Sequence, residues 1–271
     1  MSGGTAGARP RRIGLIGFGY VGRQVFRRIA RDPAWGIGIA FVHNRSAATL
    51  AEVPPELVLH DLAGMADRAP DLVVEMAHPD YTRRWGEAVL AHASYMPLAV
   101  TALADDALRG RLIAAAGAAG TSLAVPHGAL MGLDSLHEWR AHWAEVTITF
   151  RKSPANIDFS ESGLDPAAIR GETVLYDGPA RGIARLFPRN VNTMVTCALA
   201  TTGLDACRAR LVAVPDLPVA IAEVEARGRD GSRLHMVKEQ PAVGVSGTEM
   251  FESQFASILR AAGARRALDF V

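Results

Sequence analysis

Apolar positions in this chain alternate between short continuous runs and stretches where they recur every three to four residues. Arg12 to Ile16 is such a run and leads into Gly17-Phe18-Gly19-Tyr20-Val21-Gly22. Tyr20 to Ala30 then sets Val21, Val25 and Ile29 at helical spacing, with Arg23, Arg27 and Arg28 left for solvent. The alternation continues with strands predicted at Ile37–Val42, Val58–His60, Asp71–Ala77, Tyr95–Thr101 and Ser122–Val125. Helical segments are predicted at Asp61–Ala69, Asp80–His92 and Asp105–Ala119. Strands that alternate with helices of this length imply right-handed crossovers and a doubly wound parallel sheet covered on both faces.

The pattern changes after Pro126. A glycine-punctuated turn, Pro126-His127-Gly128-Ala129-Leu130-Met131-Gly132-Leu133-Asp134, runs into a helix expected to reach His142. Val146 to Lys152 alternates as a half-exposed strand does, and Thr173–Tyr176, Arg210–Val214, Val219–Ala226 and Arg233–Val237 supply further short strands. Met194 to Thr202, closed by Gly203, reads as a buried helix, and Glu249 to Ala262 reads as a final one. The expected fold is α/β: a doubly wound parallel sheet followed by a smaller α+β domain with a mostly antiparallel sheet. The expected divisions are a disordered leader at 1–11, a dinucleotide-binding domain at 12–127 and a substrate and dimerisation domain at 128–247. The helix 248–263 is expected to pack back on the nucleotide-binding part.

Glycines at the G-x-G-x-x-G spacing, placed between a strand and a helix, fit a dinucleotide site of the Rossmann type. The first glycine permits the tight turn, the second the approach of a pyrophosphate, and the third close helix packing. The binding stretch is therefore Gly17, Phe18, Gly19, Tyr20, Val21 and Gly22. At the end of the second strand, where an acidic residue would meet the ribose hydroxyl of NAD, the chain has Asn44, Arg45 and Ser46. Arginine and hydroxyl groups suit a 2'-phosphate, so NADP is preferred over NAD. Ala77 and His78, at a strand's carboxyl end, are candidate walls of the cofactor site, and His78 equally suits a helix cap.

Composition narrows the field further. The chain has 271 residues, 49% hydrophobic and 21% charged, with a formal net charge of +1, which gives no general attraction to nucleic acid or an anionic membrane. No stretch supplies 18 uninterrupted apolar residues, and Cys197 and Cys207 lack metal or redox spacing. A cytoplasmic protein without a metal site is expected.

Taken together, the glycine turn, Pro126 to Asp134, Thr149-Phe150-Arg151-Lys152-Ser153-Pro154, Phe187-Pro188-Arg189-Asn190-Val191-Asn192 and Glu223-Val224-Glu225-Ala226-Arg227-Gly228 resemble the L-aspartate dehydrogenase family, in order and spacing. The resemblance implies an N-terminal Rossmann domain for NAD or NADP, a smaller domain that holds the amino acid and forms a homodimer, and reversible oxidative deamination. It also implies cofactor contacts at Ala129 and Asn192. The chain departs from the family in three places. Ala220-Ile221-Ala222 replaces the Asn-x-His element that carries the family's catalytic histidine, Gly247-Thr248-Glu249-Met250-Phe251 replaces Asn-Pro-Lys-Thr-Ser, and His127 replaces a small serine.

Amine oxidation still requires a group that titrates near working pH. His127 is the preferred substitute and Lys152 the second candidate; His78, His235 and Lys238 are the remaining ones, with His235 expected to be a satisfied sheet residue and Lys238 to be solvent-exposed. Loss of lysine and asparagine weakens a dicarboxylate site, so the expected substrate is a small amine, amino acid or imine rather than simple L-aspartate. Two alternatives are a catalytically silent NAD(P)-binding sensor or partner protein, and a carbonyl reductase on the same scaffold.

Overall fold

The computed structural model describes residues 9–243, 246–247 and 250–264. Thus most of the expected leader, together with Thr248 and Glu249 of the divergent C-terminal element, lies outside the described residues. The chain divides into two compact units: Met1–Leu98 with Gly110–Ala124 and Phe255–Val271, and Ala99–Arg109 with Val125–Gln254.

The first unit is a four-stranded parallel sheet, β1 (Arg11–Ile16), β2 (Ile37–His43), β3 (Leu72–Glu75) and β4 (Ser94–Pro97), in the order β2-β1-β3-β4. The middle of its central strands is apolar, as a parallel sheet with covered faces requires: Ile13, Leu15, Val73 and Val74 are fully buried. Helix α1 (Tyr20–Arg31) buries Val25, Phe26 and Ile29, and α2 (Pro79–Leu90) buries Val89 and Leu90. Helix α3 (Asp106–Ala119) follows the fourth strand. Phe255, near the C-terminus, meets Trp35 edge-on at 5.2 Å, with the Arg28 guanidinium over both rings.

Four expected segments differ here. Val58–His60 makes a single parallel bridge, Val42 to Val58, instead of a strand. Pro54 and Pro55 precede it without amide donors, and the Arg68 guanidinium takes the carbonyls of Glu56 and Val58. Asp61–Ala69 forms two 3-10 turns rather than a helix; the Asp61 carboxylate caps the first, and Ala69 turns left-handed. The strand expected at Tyr95–Thr101 ends at Pro97, since the Thr101 amide and hydroxyl bond to Asn192 and the Pro188 carbonyl instead. Ser122–Val125 likewise contributes one bridge, Tyr95 to Leu123.

In the second unit, α4 (Leu133–Glu138) leads into β5 (Trp143–Lys152). The helix stops short of His142 because the Trp143 indole N–H takes the Leu136 carbonyl at 2.9 Å and Trp139 stacks on Trp143. β6 (Thr173–Pro179), α5 (Ala180–Leu186), α6 (Asn192–Ala200), β7 (Arg208–Ala213), β8 (Val219–Gly228), β9 (Arg233–Val243) and β10 (Ser246–Gly247) follow, and then α7 (Met250–Ala261). The sheet order is β10-β9-β8-β5-β7-β6, antiparallel except for the β5 and β7 pair. One face is covered by Val146, Ile148, Phe150, Ala209, Leu211 and Val224, and the other carries ion pairs such as Arg151 with Glu223. Helix α5 is missing from the sequence pattern because Gly182 interrupts it; the Tyr176 hydroxyl occupies the space a side chain there would need. Cys197 and Cys207 are buried free thiols.

Leu15→Ala, in the middle of β1, is expected to cost about 2–5 kcal/mol in denaturant unfolding, whereas Ile113→Ala, on an exposed helix face, should change stability by less than about 0.5 kcal/mol.

Candidate functional site

Within the first unit, the glycine turn is set by its neighbours at the carboxyl ends of β1 and β3. Gly17 has φ +99° and lies so close to Met76 that an added Cβ would fall 2.8 Å from the Met76 carbonyl carbon and oxygen. Gly22 packs on Gly17 itself, with a Cβ position 2.3 Å from the Gly17 carbonyl oxygen. Gly19 is different: nothing lies within 4 Å of its Cβ position. Packing therefore dictates the outer two glycines and leaves an open cradle at the middle one.

Helix α1 begins directly at that cradle. Gly19 is its N-cap, no side chain caps the first turn, and no acidic residue stands there. Its leading amides are thus suited to an anion, and the residues present fit a dinucleotide pyrophosphate. Phe18 is buried, whereas Tyr20 is 70% exposed and Val21 is half-buried.

Asn44 belongs to this cradle as a brace. Its Oδ1 accepts from the Phe18 amide at 3.1 Å, and its Nδ2 donates to the Ser46 carbonyl and to Thr49 Oγ1. Arg45 and Ser46 are exposed beyond it. The nearest acid downstream, Glu52, is paired with Arg23 and Arg27 of α1. Glu75, fully buried at the end of β3, accepts from the amides of Ala77 and His78 at 2.6 and 2.7 Å and so fixes the turn on which Gly17 rests. Its signal in the sequence is a carboxylate that closes the otherwise apolar run Leu72-Val73-Val74. His78 caps α2, accepting from the Asp80 amide on Nδ1, and also lies beside the Asp80 carboxylate.

The other candidates lie in the second unit. Asn190 and Asn192 share no task. Asn190 exchanges two hydrogen bonds with the backbone of Asp158, and Asn192 Oδ1 accepts from the Thr101 amide. In the turn after Pro126, His127 is half-buried with Nε2 3.5 Å from the exposed Asp134 carboxylate. Ala129 donates its amide to Thr193 Oγ1 at 3.4 Å.

Lys152 closes β5 on its covered face and is only 7% exposed. Desolvation lowers its pKa to about 8, and its ammonium group lies 5.4 Å from the Phe150 ring centre. Ala222 stands directly opposite Phe150. Lys238 is corrected from an exposed residue to a buried one: it lies across from Ala222 on β9, and its Nζ donates to the Ala129 carbonyl at 2.6 Å. His235 is the satisfied sheet residue expected, bonded to Glu223 at 2.9 Å on the exposed face. Glu223, Glu225 and His235 could bring ligand atoms within 4.8 Å of one another, but Arg151 already engages Glu223 and holds its carboxyl below the usual range.

Two family models cover most of the chain. Residues 17–126 match the NAD-binding domain of homoserine dehydrogenase, and residues 136–248 match the C-terminal domain of aspartate dehydrogenase. An aspartate dehydrogenase domain-containing protein of Xenopus tropicalis is 34% identical over 94% of this chain and 96% of its own length. L-aspartate dehydrogenase 2 of Bordetella pertussis is 38% identical over 75% of this chain and 78% of its own length. The crystal structure of aspartate dehydrogenase from Thermotoga maritima shares the fold with a TM-score of 0.74 at 22% identity, covering 96% of this chain and 99% of that one.

The cradle makes a specific demand on cofactor binding. Gly19→Ala should leave the melting temperature within a few degrees yet weaken NAD(P)H binding at least about tenfold by fluorescence titration, whereas Gly22→Ala should lower both stability and affinity. With a nucleotide cradle at the ends of β1 and β3 and a C-terminal half that matches the family, this chain belongs to the aspartate dehydrogenase family and is an NAD(P)-dependent oxidoreductase of that type.

Proposed function

We propose that the protein prefers NADP and interconverts a small α-amino acid with its imine and keto acid, with Lys152 as the proton-transfer group. The observation that carries this reading is a lysine buried at the end of β5 with its pKa lowered to about 8. The family likeness assigns proton handling to position 222, where this chain has alanine. Lys152 lies two residues beyond Phe150, the β5 partner of Ala222, and therefore on the same covered face. Bound NAD(P) supplies the acceptor or donor of hydride. The neutral Lys152 amine accepts the proton that leaves the substrate nitrogen, and its ammonium form returns a proton in the reverse direction. His127 orients the substrate, and Ala129 and Asn192 keep the cofactor-contact roles that the resemblance gives them.

Substrate and cofactor choice rest on charge. Arg45 and Ser46, with Glu52 neutralised by two arginines, support recognition of a 2'-phosphate. The relatives named L-aspartate dehydrogenase support an amino-acid substrate, and the missing lysine and asparagine favour one other than a dicarboxylate. Assays of NADPH oxidation with glyoxylate, pyruvate, 2-oxobutyrate or oxaloacetate plus ammonium test this; turnover greatest with oxaloacetate would overturn the non-dicarboxylate reading. The family likeness also supports a homodimer, measurable by light scattering, and buried free thiols support a reducing, cytoplasmic compartment.

Two predictions follow from the lysine. As a base, Lys152 should make kcat for amine oxidation rise with pH, half-maximal at about 8 and reaching its plateau above that, and Lys152→Met should lower kcat by about a hundredfold or more and remove that rise. An unchanged pH profile in the variant would exclude the role. The unfolded lysine holds its proton to about 10.5 and the folded one to about 8, so between these values the unfolded state binds more protons and stability rises with pH. Urea unfolding at pH 7.5 and 9.5 should show that gain in the natural protein and lose it in Lys152→Met.

For the cofactor, Arg45→Ala should weaken NADPH about tenfold or more in equilibrium titration and leave NADH unaffected. Equal loss for both nucleotides would place the arginine elsewhere than on the 2'-phosphate.

A further inference from the structure

Lys238 is a charged residue in a place that an apolar one would ordinarily fill. It is 8% exposed in the middle of β9, and its cross-strand partner on β8 is Ala222. Directly opposed residues share a sheet face with their Cβ atoms about 4.5–5.5 Å apart, so the lysine stem leaves β9 beside the Ala222 methyl group. Phe150 flanks Ala222 on its other side. An alanine between a lysine and a phenylalanine leaves the stem room that a larger side chain would take.

The ammonium group ends on the backbone. Its 2.6 Å bond to the Ala129 carbonyl is short, as charge-assisted bonds are. Burying an ammonium is unfavourable unless hydrogen bonds offset the lost hydration, so this contact is one that the fold maintains against a cost. Its target is the turn of residues 126–132, in which Gly128 and Gly132 have φ of +60° and +65°.

Other side chains hold the same turn. Ser253 Oγ donates to the Gly128 carbonyl, Thr196 Oγ1 donates to the Pro126 carbonyl at 3.3 Å, and Thr193 Oγ1 accepts from the Ala129 amide. Met236, two residues before Lys238 and on the same face, has its sulfur 2.3 Å from the Cβ position of Gly132. β9 thus grips the turn at Ala129 through charge and at Gly132 through packing. Lys238 is the one of these contacts that brings a full charge.

We propose that Lys238 is a positioning residue: it fixes the Ala129 carbonyl, and with it the orientation of His127 to Leu130, and alanine at position 222 is the condition for its reach. This rests on the reading of the 127–130 turn as part of the reaction site. Lys238 takes no proton from substrate and acts through the backbone it holds. A histidine introduced at Ala222 competes with the Lys238 stem, so Ala222→His loosens the turn rather than restoring a base.

The test uses the full-length protein and the variants Lys238→Met, Lys238→Arg and Ala222→His. Backbone hydrogen exchange over residues 127–132 is measured beside kcat and KM for NADPH oxidation with pyruvate or oxaloacetate plus ammonium, whichever turns over faster. Lys238→Met is expected to speed exchange in the turn about tenfold or more and to lower kcat about tenfold, with exchange in β1 to β4 unchanged. Lys238→Arg, which keeps a cationic donor, should recover part of both, and Ala222→His should reproduce the Lys238→Met pattern. Unchanged exchange in the turn would overturn the clamp. Faster exchange with kcat intact would instead overturn the assignment of the turn to the site, and with it the positioning role. If Lys238→Met fails to fold, Lys238→Arg and Ala222→His carry the same comparison.

Discussion

The first unit depends on one close approach, the stacking of Gly17 against the backbone of Met76 with Gly22 resting on the Gly17 carbonyl. Each contact is too short for a β-carbon, so the turn after β1 and the turn after β3 meet backbone to backbone. Glu75 holds one side of that contact by binding the amides of Ala77 and His78, and Asn44 holds the other by binding the amide of Phe18. What remains between these fixed pieces is the open position at Gly19 and the uncapped start of α1. A buried carboxylate and a half-buried side-chain amide thus hold the backbone of a cradle suited to phosphate.

The second unit is governed by a different constraint, the burial of positive charge. Lys152 and Lys238 both leave the covered face of one sheet, on strands that flank β8. Desolvation alone lowers the Lys152 pKa, which makes its amine available for proton transfer near neutral pH. Lys238 reaches a backbone carbonyl instead, and the turn it binds includes His127 and Ala129. Alanine at position 222 separates the two lysine-bearing strands with the smallest chiral side chain. Loss of the family histidine is therefore accompanied by two ammonium groups on the same face, and the chemistry proposed here uses one of them as a base and the other as a brace.

Local pattern failed where a tertiary partner captured the backbone. Nothing in Val58–His60 announces that Arg68 takes its neighbouring carbonyls, and nothing in Tyr95–Thr101 announces that Asn192 takes the Thr101 amide. Helix α4 ends early because a tryptophan seven residues after Leu136 bonds its carbonyl. In each case the strand or helix length was decided by a hydrogen bond from a side chain outside the element. Lys238 shows the same limit for a site residue, since an isolated lysine in a strand carries no local sign of burial.

The sequence by itself determined the alternation of strands and helices in the first unit, the parallel character of its sheet and the glycine cradle, and its motifs carried the resemblance to the family. The first three follow from periodicity and spacing, which are properties of neighbouring residues. Only the tertiary structure decided that Gly19 is the open glycine, that Asn44 braces rather than merely flanks the cradle, and that Lys152 and Lys238 are buried. Burial and the pairing of polar groups depend on residues brought together from far along the chain, as Lys238 meets Ala129 across 109 positions.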